Sequence, residues 1–380
     1  MKKLIIEFCS MLYWKFWYKI FLISVRISRY DYYKRVYNDV AKVKDIKTNV
    51  LTKEQKHEID LFYKKNYGKK IPYIWHNLIV SYNNKFDVRY ITPEIFLEIK
   101  EKLNSLEIKD TIFYDKNFAY NFLKKANVKL PKRLFYSVRG LFFNSDDEII
   151  SKEDLYRQLS NIGDVFIKPT GIYCSGYARN CRVINVSNGV DIYSKINIKD
   201  MIQQYYNTDF IVQERLVCHK SISDIYSKAV NTFSIYSIIL DNEIKILDKL
   251  IFKIGMNGNV TDYSGIGKEG LIIAINNDGV LYDSALCISQ NKWYTSHPDT
   301  GFVFKNHKIE NFQKISEAVK KLHSCIPWKK FCKWDITMDV DGAPVFIEIE
   351  KPAELFQQQI LYKEGFFGEN TEEILSLLRK

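Results

Sequence analysis

Trp334-Asp-Ile-Thr-Met-Asp-Val-Asp-Gly-Ala-Pro-Val-Phe-Ile-Glu-Ile-Glu350 is the stretch that predicts most about the fold of this chain. Apolar and polar residues alternate on both sides of Asp341-Gly342, which is the pattern of two β-strands joined by a tight turn. With a two-residue turn at Asp341-Gly342, one face of the hairpin is wholly apolar. We expect three pairs on that face: Trp334 with Ile349, Ile336 with Ile347, and Met338 with Val345.

The other face of the predicted hairpin is acidic. Asp335 lies directly opposite Glu348, and Glu350 follows two residues later on the same side. Two carboxylates held about 5 Å apart repel each other unless a positive charge lies between them. Mg²⁺ with bound phosphates needs only one or two carboxylates from a protein. The hairpin therefore predicts a divalent-cation site.

The composition excludes several classes of protein. The chain has 380 residues, of which 46% are hydrophobic and 27% charged, so a folded protein of two domains or one large domain is expected. Seven cysteines without a CxxC pair and six histidines without HExxH argue against a disulfide scaffold and a zinc hydrolase. The same cysteine usage indicates the reducing cytosol.

The net charge of +11 is concentrated near the N-terminus. Residues 1–70 carry 17 Lys/Arg against 7 Asp/Glu, so the other 310 residues are almost neutral. A nucleic-acid enzyme would spread basic residues around its site, and no nucleic-acid partner is predicted. Residues 1–30 are basic and aromatic but too short in apolar runs to span a bilayer, and they show no signal-peptide cleavage site. This segment is either an interfacial amphipathic helix at the inner face of the plasma membrane or a helix docked on its own domain or a second subunit.

The remaining chain predicts an α+β fold with mixed or antiparallel sheets. Residues 31–110 are expected to be mainly helical, with breaks at Gly68, Ile71-Pro72 and Thr92-Pro93. The expected helices beyond that region are 116–126, 152–159, 310–323 and one that begins at Glu372. The expected strands are 134–138, 165–168, 182–186, 210–216, 232–240, 244–254 and 271–276, followed by the hairpin.

Three further segments carry residues suited to binding. Val165-Phe-Ile-Lys168 ends in a lysine and enters a loop with Ser175 and Gly176, where backbone N–H groups could approach a phosphate. Phe210 to Leu216 is an apolar strand that could present its backbone to an adenine edge, with Gln213 and Glu214 beside it. His297, in His-Pro-Asp-Thr-Gly, is a substrate-side candidate.

Taken in order, these motifs resemble the ATP-grasp superfamily, and more narrowly its sugar-transfer-associated family. Trp75-His76 and Tyr90-Ile-Thr-Pro93 are similar to the N-terminal region of that family, and Val212-Gln-Glu-Arg-Leu216 is similar to its hinge. Asp115-Lys116 and Phe166-Ile-Lys168-Pro169 are similar to its two nucleotide-contacting lysines. Asn231-Thr232, the His297 loop and the carboxylates Asp335, Glu348 and Glu350 complete the series.

The chain departs from this pattern at two positions. Glu350 stands where an asparagine is expected, and a third carboxylate should alter cation binding without removing the site. Ser234 stands where the family places an arginine that would neutralise charge on the transferred phosphate. A tight turn at Asp241-Asn242 would set Ser234 opposite Lys249, which we therefore predict as the replacement; Lys253 and Lys268 are the other options.

The resemblance implies an ATP-grasp fold of two α+β subdomains that clamp ATP, at 111–212 and 213–380, behind the helical region 31–110. It implies an ATP- and Mg²⁺-dependent ligase that joins a carboxylate to an amine through an acyl phosphate. Lys249, Lys268 and His297 would act in catalysis. Lys116, Lys168, Ser175, Gly176, Gln213, Glu214 and Leu216 would bind ATP, and Asp335, Glu348 and Glu350 would bind the metal. The partners would be a glycan precursor, sugar acid or lipid-linked substrate of surface polysaccharide synthesis, and an amine such as an amino acid. A sugar kinase on the same fold and a non-catalytic nucleotide-binding scaffold are the alternative functions.

Overall fold

The fold is known from a computed structural model. It describes residues 34, 38, 42–43, 46–47, 49–104, 112–170, 181–205, 208–262, 269–350 and 355–379. The basic segment 1–30 lies outside these ranges. Within them the chain forms the predicted α+β fold. Of the two predicted alternatives, mixed or antiparallel sheets, the two large sheets are antiparallel throughout.

The helices lie mainly before the first sheet and after the second. They are α1 (Lys53–Asn66), α2 (Ile74–Asn83), α3 (Pro93–Asn104), α4 (Lys116–Leu123), α5 (Lys152–Leu159), α6 (Ile198–Gln203), α7 (Lys220–Ser223), α8 (Gln313–Ser324), α9 (Phe356–Tyr362) and α10 (Thr371–Ser376). The predicted breaks at Gly68 and Pro72 separate α1 from α2, and α3 begins at Pro93. No helix among the described residues combines the length and the apolar character that crossing a membrane requires.

Sixteen strands are formed by the described residues. They are β1 (Arg133–Val138), β2 (Leu141–Phe143), β3 (Ile149–Ile150), β4 (Val165–Pro169), β5 (Arg182–Ile184), β6 (Val186–Ser187), β7 (Val190–Asp191), β8 (Phe210–Glu214), β9 (Thr232–Leu240), β10 (Glu243–Ile246), β11 (Leu250–Gly255), β12 (Gly270–Ile275), β13 (Ala285–Cys287), β14 (Lys292–Tyr294), β15 (Phe331–Met338) and β16 (Pro344–Glu350).

Two sheets organise these strands. A six-stranded sheet has the order β3-β2-β1-β8-β4-β5, and α5 and α6 pack on one of its faces through Leu155, Leu159 and Met201. An eight-stranded sheet runs β14-β13-β12-β11-β9-β15-β16, with β10 paired to β9. A short ribbon of β6 and β7 stands apart.

The eight-stranded sheet is covered on both faces. One face packs on α8, with Phe233 and Trp334 buried against Ile315 and Leu322. The opposite face is covered in part by α1–α3, α9 and α10, whose side chains form two further clusters with β9, β11 and β12. Since side chains alternate along a strand, the residues between the buried apolar ones on β15 and β16 face away from α8.

The hairpin of β15 and β16 forms as predicted, but its register changes once. Trp334 pairs with Ile349 and Asp335 with Glu348, as expected. The predicted pairs of Ile336 with Ile347 and Met338 with Val345 are wrong: Ile336 pairs with Phe346 and Met338 with Pro344.

The physical reason for this shift is a longer turn. The Gly342 N–H donates to the Asp339 carbonyl at 2.9 Å, and Gly342 has φ +71°, so three residues form the loop. A three-residue loop with glycine in the left-handed region is a common hairpin connection. The bulge at Ile347 then restores the predicted register at the carboxylates, and Phe346 takes the core position.

The second predicted hairpin also forms, but it ends early. The Asp241-Asn242 turn pairs Ile244 with Ile239 and Ile246 with Ser237. The expected continuous strand 244–254 is wrong, because the chain leaves β9 after Leu247 and returns as β11 in a different register. Ser234 therefore lies opposite Ile251 on β11 and not opposite Lys249.

Candidate functional site

The three carboxylates of the hairpin converge on one point. One oxygen atom from each of Asp335, Glu348 and Glu350 lies within 4.8 Å of the others. Asp335 is buried and the two glutamates are half-buried. The alternation of β15 and β16 produces this arrangement, because the apolar neighbours of these residues point into the core on the α8 side.

Each of these carboxylates contacts a lysine. Lys116 Nζ lies 3.0 Å from Glu348 Oε2. Lys253 contacts Asp335 and lies 3.5 Å from Glu350 Oε1. Lys333 contacts the other oxygen of Glu350. The three lysines come from α4, β11 and β15, so the cluster joins distant parts of the chain.

Lys116 and Lys168 are brought together by the way α4 meets β4. Asp115 caps α4 by accepting a hydrogen bond from the Phe118 N–H at 2.9 Å. The Lys116 N–H donates to the carbonyl of Thr170, just beyond the end of β4, at 3.3 Å. This bond brings the two predicted nucleotide lysines near each other at the end of β4, where their charges interact.

The electrostatics of the cluster favour a polyanionic ligand near the lysines. Burial and the charge of Lys116 lower the pKa of Lys168, and Glu348 opposes this only in part. Two ammonium groups thus share one carboxylate. A phosphate group placed beside them would relieve their repulsion.

The carboxylates respond differently to their environment. Burial and the charge of Glu350 raise the pKa of Asp335 well above its ordinary value, although Lys253 and Lys333 oppose this rise. Burial disfavours the charged form of Glu350, but Lys253 and Lys333 outweigh it and lower its pKa. Burial also disfavours the charged form of Lys253, but Asp335 and Glu350 raise its pKa well above the ordinary value. Glu350 is therefore kept ionised by two buried or partly buried lysines.

Two buried oxygen atoms in the cluster lack a hydrogen-bond partner. They are Asp335 Oδ1 and Ser234 Oγ, on paired residues of β15 and β9. A buried unpaired acceptor is costly unless a ligand satisfies it. Mg²⁺ prefers oxygen ligands such as carboxylates. The cluster offers three carboxylates, one of which has an unpaired oxygen atom, so the residues present fit this metal.

The predicted hinge follows β8. Gln213 is buried and donates from Nε2 to the Pro131 carbonyl at 3.3 Å. Glu214 is exposed and pairs with Lys132 at 2.9 Å, so its side chain points away from the cluster. Leu216 lines a cavity of about 280 Å³, together with Asp164, Arg215 and Cys218.

Lys249 lies outside the cluster. It is buried, but its Nζ pairs with Glu364 Oε1 at 2.7 Å, near α9. The prediction that Lys249 faces Ser234 is wrong because of the register change described above. Lys253, which the sequence offered as a second option, occupies the cluster instead.

His297 has a structural environment. It is fully buried and stacks on Tyr226 with ring centroids 5.0 Å apart. Its Nε2–H donates to the Gly255 carbonyl at 2.8 Å, and its Nδ1 accepts from the Asp299 N–H at 3.2 Å. Both ring nitrogens are therefore occupied, and we assign His297 to support of its loop. Ser175, Gly176 and Lys268 lie outside the described residues.

Sequence reasoning missed Lys333, and it named the loop that begins at Asp262 as a possible substrate-binding loop without placing Asp262 in this site. Lys333 precedes Trp334 and shares the face of Asp335 by simple alternation, so the i, i+2 spacing was a usable signal. Asp262 accepts a hydrogen bond from the Thr232 hydroxyl, and Thr232 is paired with Lys253 across β9 and β11. Burial raises the pKa of Asp262. Its position depends on the strand register, which no local pattern revealed.

Comparison with known proteins gives one family. The model of a family described as "Sugar-transfer associated ATP-grasp" matches residues 98–374. The match includes the lysines of α4 and β4, the hinge and the hairpin; Trp75-His76 and Tyr90 to Pro93 precede it. A comparison with curated proteins gives no match.

Three of the solved structures that resemble this chain are ligases with low sequence identity to it. VanG D-Ala:D-Ser ligase from Enterococcus faecalis is 14% identical with a TM-score of 0.41, over 70% of this chain and 61% of that chain. L-amino acid ligase from Bacillus licheniformis is 13% identical with a TM-score of 0.36, over 69% and 48%. ATP-grasp ligase PsnB, complexed with minimal precursor, Mg and ADP, is 14% identical with a TM-score of 0.39, over 73% and 62%. The matched part is less than two thirds of each of these proteins.

Proposed function

Because this chain belongs to the sugar-transfer-associated ATP-grasp family, we propose that it is an ATP- and Mg²⁺-dependent ligase that joins a carboxylate to an amine. The observation that carries this proposal is the cluster in which three hairpin carboxylates meet Lys116, Lys253 and Lys333. Family membership supports ATP as the phosphoryl donor. The three carboxylates and the lysine pair beside them support a metal–phosphate complex at this place.

Each residue of the cluster has a role in this proposal. Asp335, Glu348 and Glu350 would hold Mg²⁺, which would neutralise charge on the phosphates of the nucleotide. Lys116 and Lys168 contact the phosphates, and the backbone of residues 213–216 receives the adenine. Positioning and charge neutralisation supply most of the rate in phosphoryl transfer, so these contacts suffice as catalytic machinery.

Lys253 supplies the positive charge that the family obtains from an arginine at the position of Ser234. It is buried, it is paired across the sheet with Thr232, and it contacts both Asp335 and Glu350. An ammonium group at this point can neutralise negative charge that develops on the transferred phosphate. This replacement favours an active enzyme over a nucleotide-binding scaffold.

The reaction proceeds in two transfers. A substrate carboxylate oxygen attacks the γ-phosphorus of ATP, ADP leaves, and an acyl phosphate forms. The amine then attacks the acyl carbon, inorganic phosphate leaves, and the nitrogen loses a proton as the amide forms. We propose a glycan precursor or sugar acid as the carboxylate and an amino acid as the amine, in synthesis of a surface polysaccharide at the cytoplasmic face of the membrane. The description of the family is the support for this substrate class.

A coupled assay of ADP release tests the activity. Amino acids, sugar acids and lipid-linked intermediates are supplied in pairs, with Asp335→Asn as the blank. Phosphate release that requires both a carboxylate and an amine supports the ligase. Hydroxylamine replaces the amine in a second arm, where a hydroxamate product traps the acyl phosphate. A phosphorylated hydroxyl product without amine would overturn the ligase in favour of a kinase.

A further inference from the structure

Each carboxylate of the cluster is already paired with a lysine. Asp335 contacts Lys253, Glu348 contacts Lys116, and Glu350 contacts Lys333. Lys253 reaches Glu350 as well, at 3.5 Å. Three lysines thus face three carboxylates, and each carboxylate has at least one ammonium group in contact.

A divalent cation would bind the same three carboxylate groups, including Asp335, whose Oδ1 has no hydrogen-bond partner while its Oδ2 contacts Lys253. Mg²⁺ binds carboxylate oxygens at about 2.1 Å and tolerates little distortion of its octahedral geometry. The candidate ligand atoms lie within 4.8 Å of one another, so an ion between them would lie near the ammonium groups that contact these carboxylates. Repulsion at such distances in a partly buried site is strong. A free cation therefore competes with the lysines for the cluster.

The lysines cannot move easily into water. Lys253 is only 9% exposed, and the side chain of Lys333 is 16% exposed. An ammonium group that leaves its carboxylate inside this site needs another anion, because a buried unpaired charge is unfavourable. The phosphates of a nucleotide would provide that anion beside Lys116 and Lys168.

We infer that Lys116, Lys253 and Lys333 mask the metal ligands in the nucleotide-free protein, so that a divalent cation binds only together with a nucleotide. The nucleotide accepts the lysines through its phosphates, and the freed carboxylates accept the cation. This inference rests on the proposed function, since it requires a nucleotide site beside the cluster. The mask also accounts for a glutamate at position 350, because three carboxylates balance the charge of three lysines.

Binding of Mn²⁺, followed by the loss of its free-ion electron paramagnetic resonance signal, tests the mask on the full chain. For the wild type, we expect Mn²⁺ affinity with a non-hydrolysable ATP analogue to exceed that of Mn²⁺ alone by on the order of 100-fold, since the phosphates replace ammonium–cation repulsion by attraction. Solutions of Mn²⁺ and analogue without protein correct for complexes formed in solution.

Neutral variants of the masking lysines should gain binding. We expect Lys253→Met and Lys333→Met each to bind Mn²⁺ alone roughly 10-fold to 100-fold more tightly than the wild type, because one opposing charge is gone. Lys249→Met is the matched control: Lys249 is as buried as Lys253 but pairs with Glu364 outside the cluster, so its variant should bind Mn²⁺ as the wild type does. A gain of affinity cannot come from loss of folding, and thermal unfolding of each variant confirms a folded state.

The outcomes separate the two proposals. Wild-type protein that binds Mn²⁺ alone as tightly as Lys253→Met and Lys333→Met do would overturn the mask and leave the ligase intact. Absence of protein-dependent Mn²⁺ binding even with the nucleotide analogue would overturn the metal site of the proposed function itself.

Discussion

The two faces of the β15–β16 hairpin differ in how their polar groups are satisfied. On the face toward α8, Trp334 Nε1–H donates to Ser237 Oγ at 2.7 Å, and the Ser237 hydroxyl donates to His323 Nδ1 at 2.7 Å. The His323 Nε2–H donates to the Lys329 carbonyl at 2.7 Å, because a carbonyl can only accept. This chain of donors is complete without a ligand.

The opposite face leaves polar atoms unsatisfied. Asp335 Oδ1 and Ser234 Oγ are buried without a partner, and three carboxylates crowd within 4.8 Å. Asp335 directly follows Trp334 in the chain, yet the two side chains meet opposite environments. The two faces of this hairpin therefore have different roles. The apolar face, whose polar atoms are all paired, stabilises the fold, and the charged face, which has unpaired atoms, is available to a ligand. Changes on the two faces should therefore affect different measurements.

Asp335→Asn should have the largest effect, and it should fall on activity. Removing a charged metal ligand is expected to lower ADP release on an active substrate pair by on the order of 100-fold to 1,000-fold, in line with the loss of one electrostatic contact to a transition state. The Mg²⁺-dependent thermal shift given by nucleotide should disappear. The free energy of unfolding without ligand should change less than in Trp334→Ala; a larger loss would assign Asp335 to the structural face.

Trp334→Ala should act on stability. Trp334 is fully buried, and the truncation leaves a cavity and an unused acceptor at Ser237, so we expect a loss of about 3–5 kcal/mol in the free energy of unfolding. Denaturant titration measures it. Ile347→Ala, at the half-buried bulge of the same hairpin, is the control and should lose much less. Similar losses in both variants would contradict the division between the faces.

Acid should weaken the closed face through His323. Burial lowers the pKa of His323 from 6.5 to about 4. Between these pH values, His323 binds a proton in the unfolded chain but not in the folded chain. The stability given by the neutral ring is present above pH 6.5 and is lost as the pH falls from 6.5 toward 4, by about 3 kcal/mol in full. Burial lowers the pKa of His76 to about 4 as well, and its effect adds to that of His323.

Chemical denaturation at a series of pH values separates the two histidines. His323→Gln should flatten part of the decline in the free energy of unfolding below pH 6.5, whereas the slope that His76 contributes should remain. An unchanged pH profile in His323→Gln would show that the ring titrates equally in the folded and unfolded states.

Lys249→Met should have the smallest effect on activity. Lys249 and Lys253 are four residues apart, about 13 Å along an extended chain, and only Lys253 contacts the carboxylates. ADP release by Lys249→Met should therefore stay within about 2-fold of the wild type, as expected for a change outside the site. Lys253→Met assayed beside it should be strongly impaired; equal loss in both would place Lys249 in the catalytic site after all.

Local patterns in the sequence determined a large part of this molecule. Alternation around Asp341-Gly342 predicted the hairpin and its acidic face, because side-chain direction has a period of two in any strand. The predicted pair of Asp335 with Glu348 is present because the bulge at Ile347 offsets the longer turn. The expected helix starts at residues 116 and 152 agree with α4 and α5, where Asp115 and Ser151 each accept a backbone hydrogen bond. The order of the motifs along the chain indicated the family, and the family model that matches residues 98–374 confirms it.

Tertiary structure alone decided which lysine completes the site. The strand after the Asp241-Asn242 turn kept its predicted register for only a few residues, and the break before β11 moved the partner of Ser234 from Lys249 to Ile251. A one-residue difference in turn length likewise placed Phe346 rather than Ile347 in the core. Register depends on turn geometry and on the packing of both faces at once, and these are contacts between residues far apart in the chain. The sequence therefore determined that three carboxylates would need positive charge, and only the folded sheet determined that Lys116, Lys253 and Lys333 provide it.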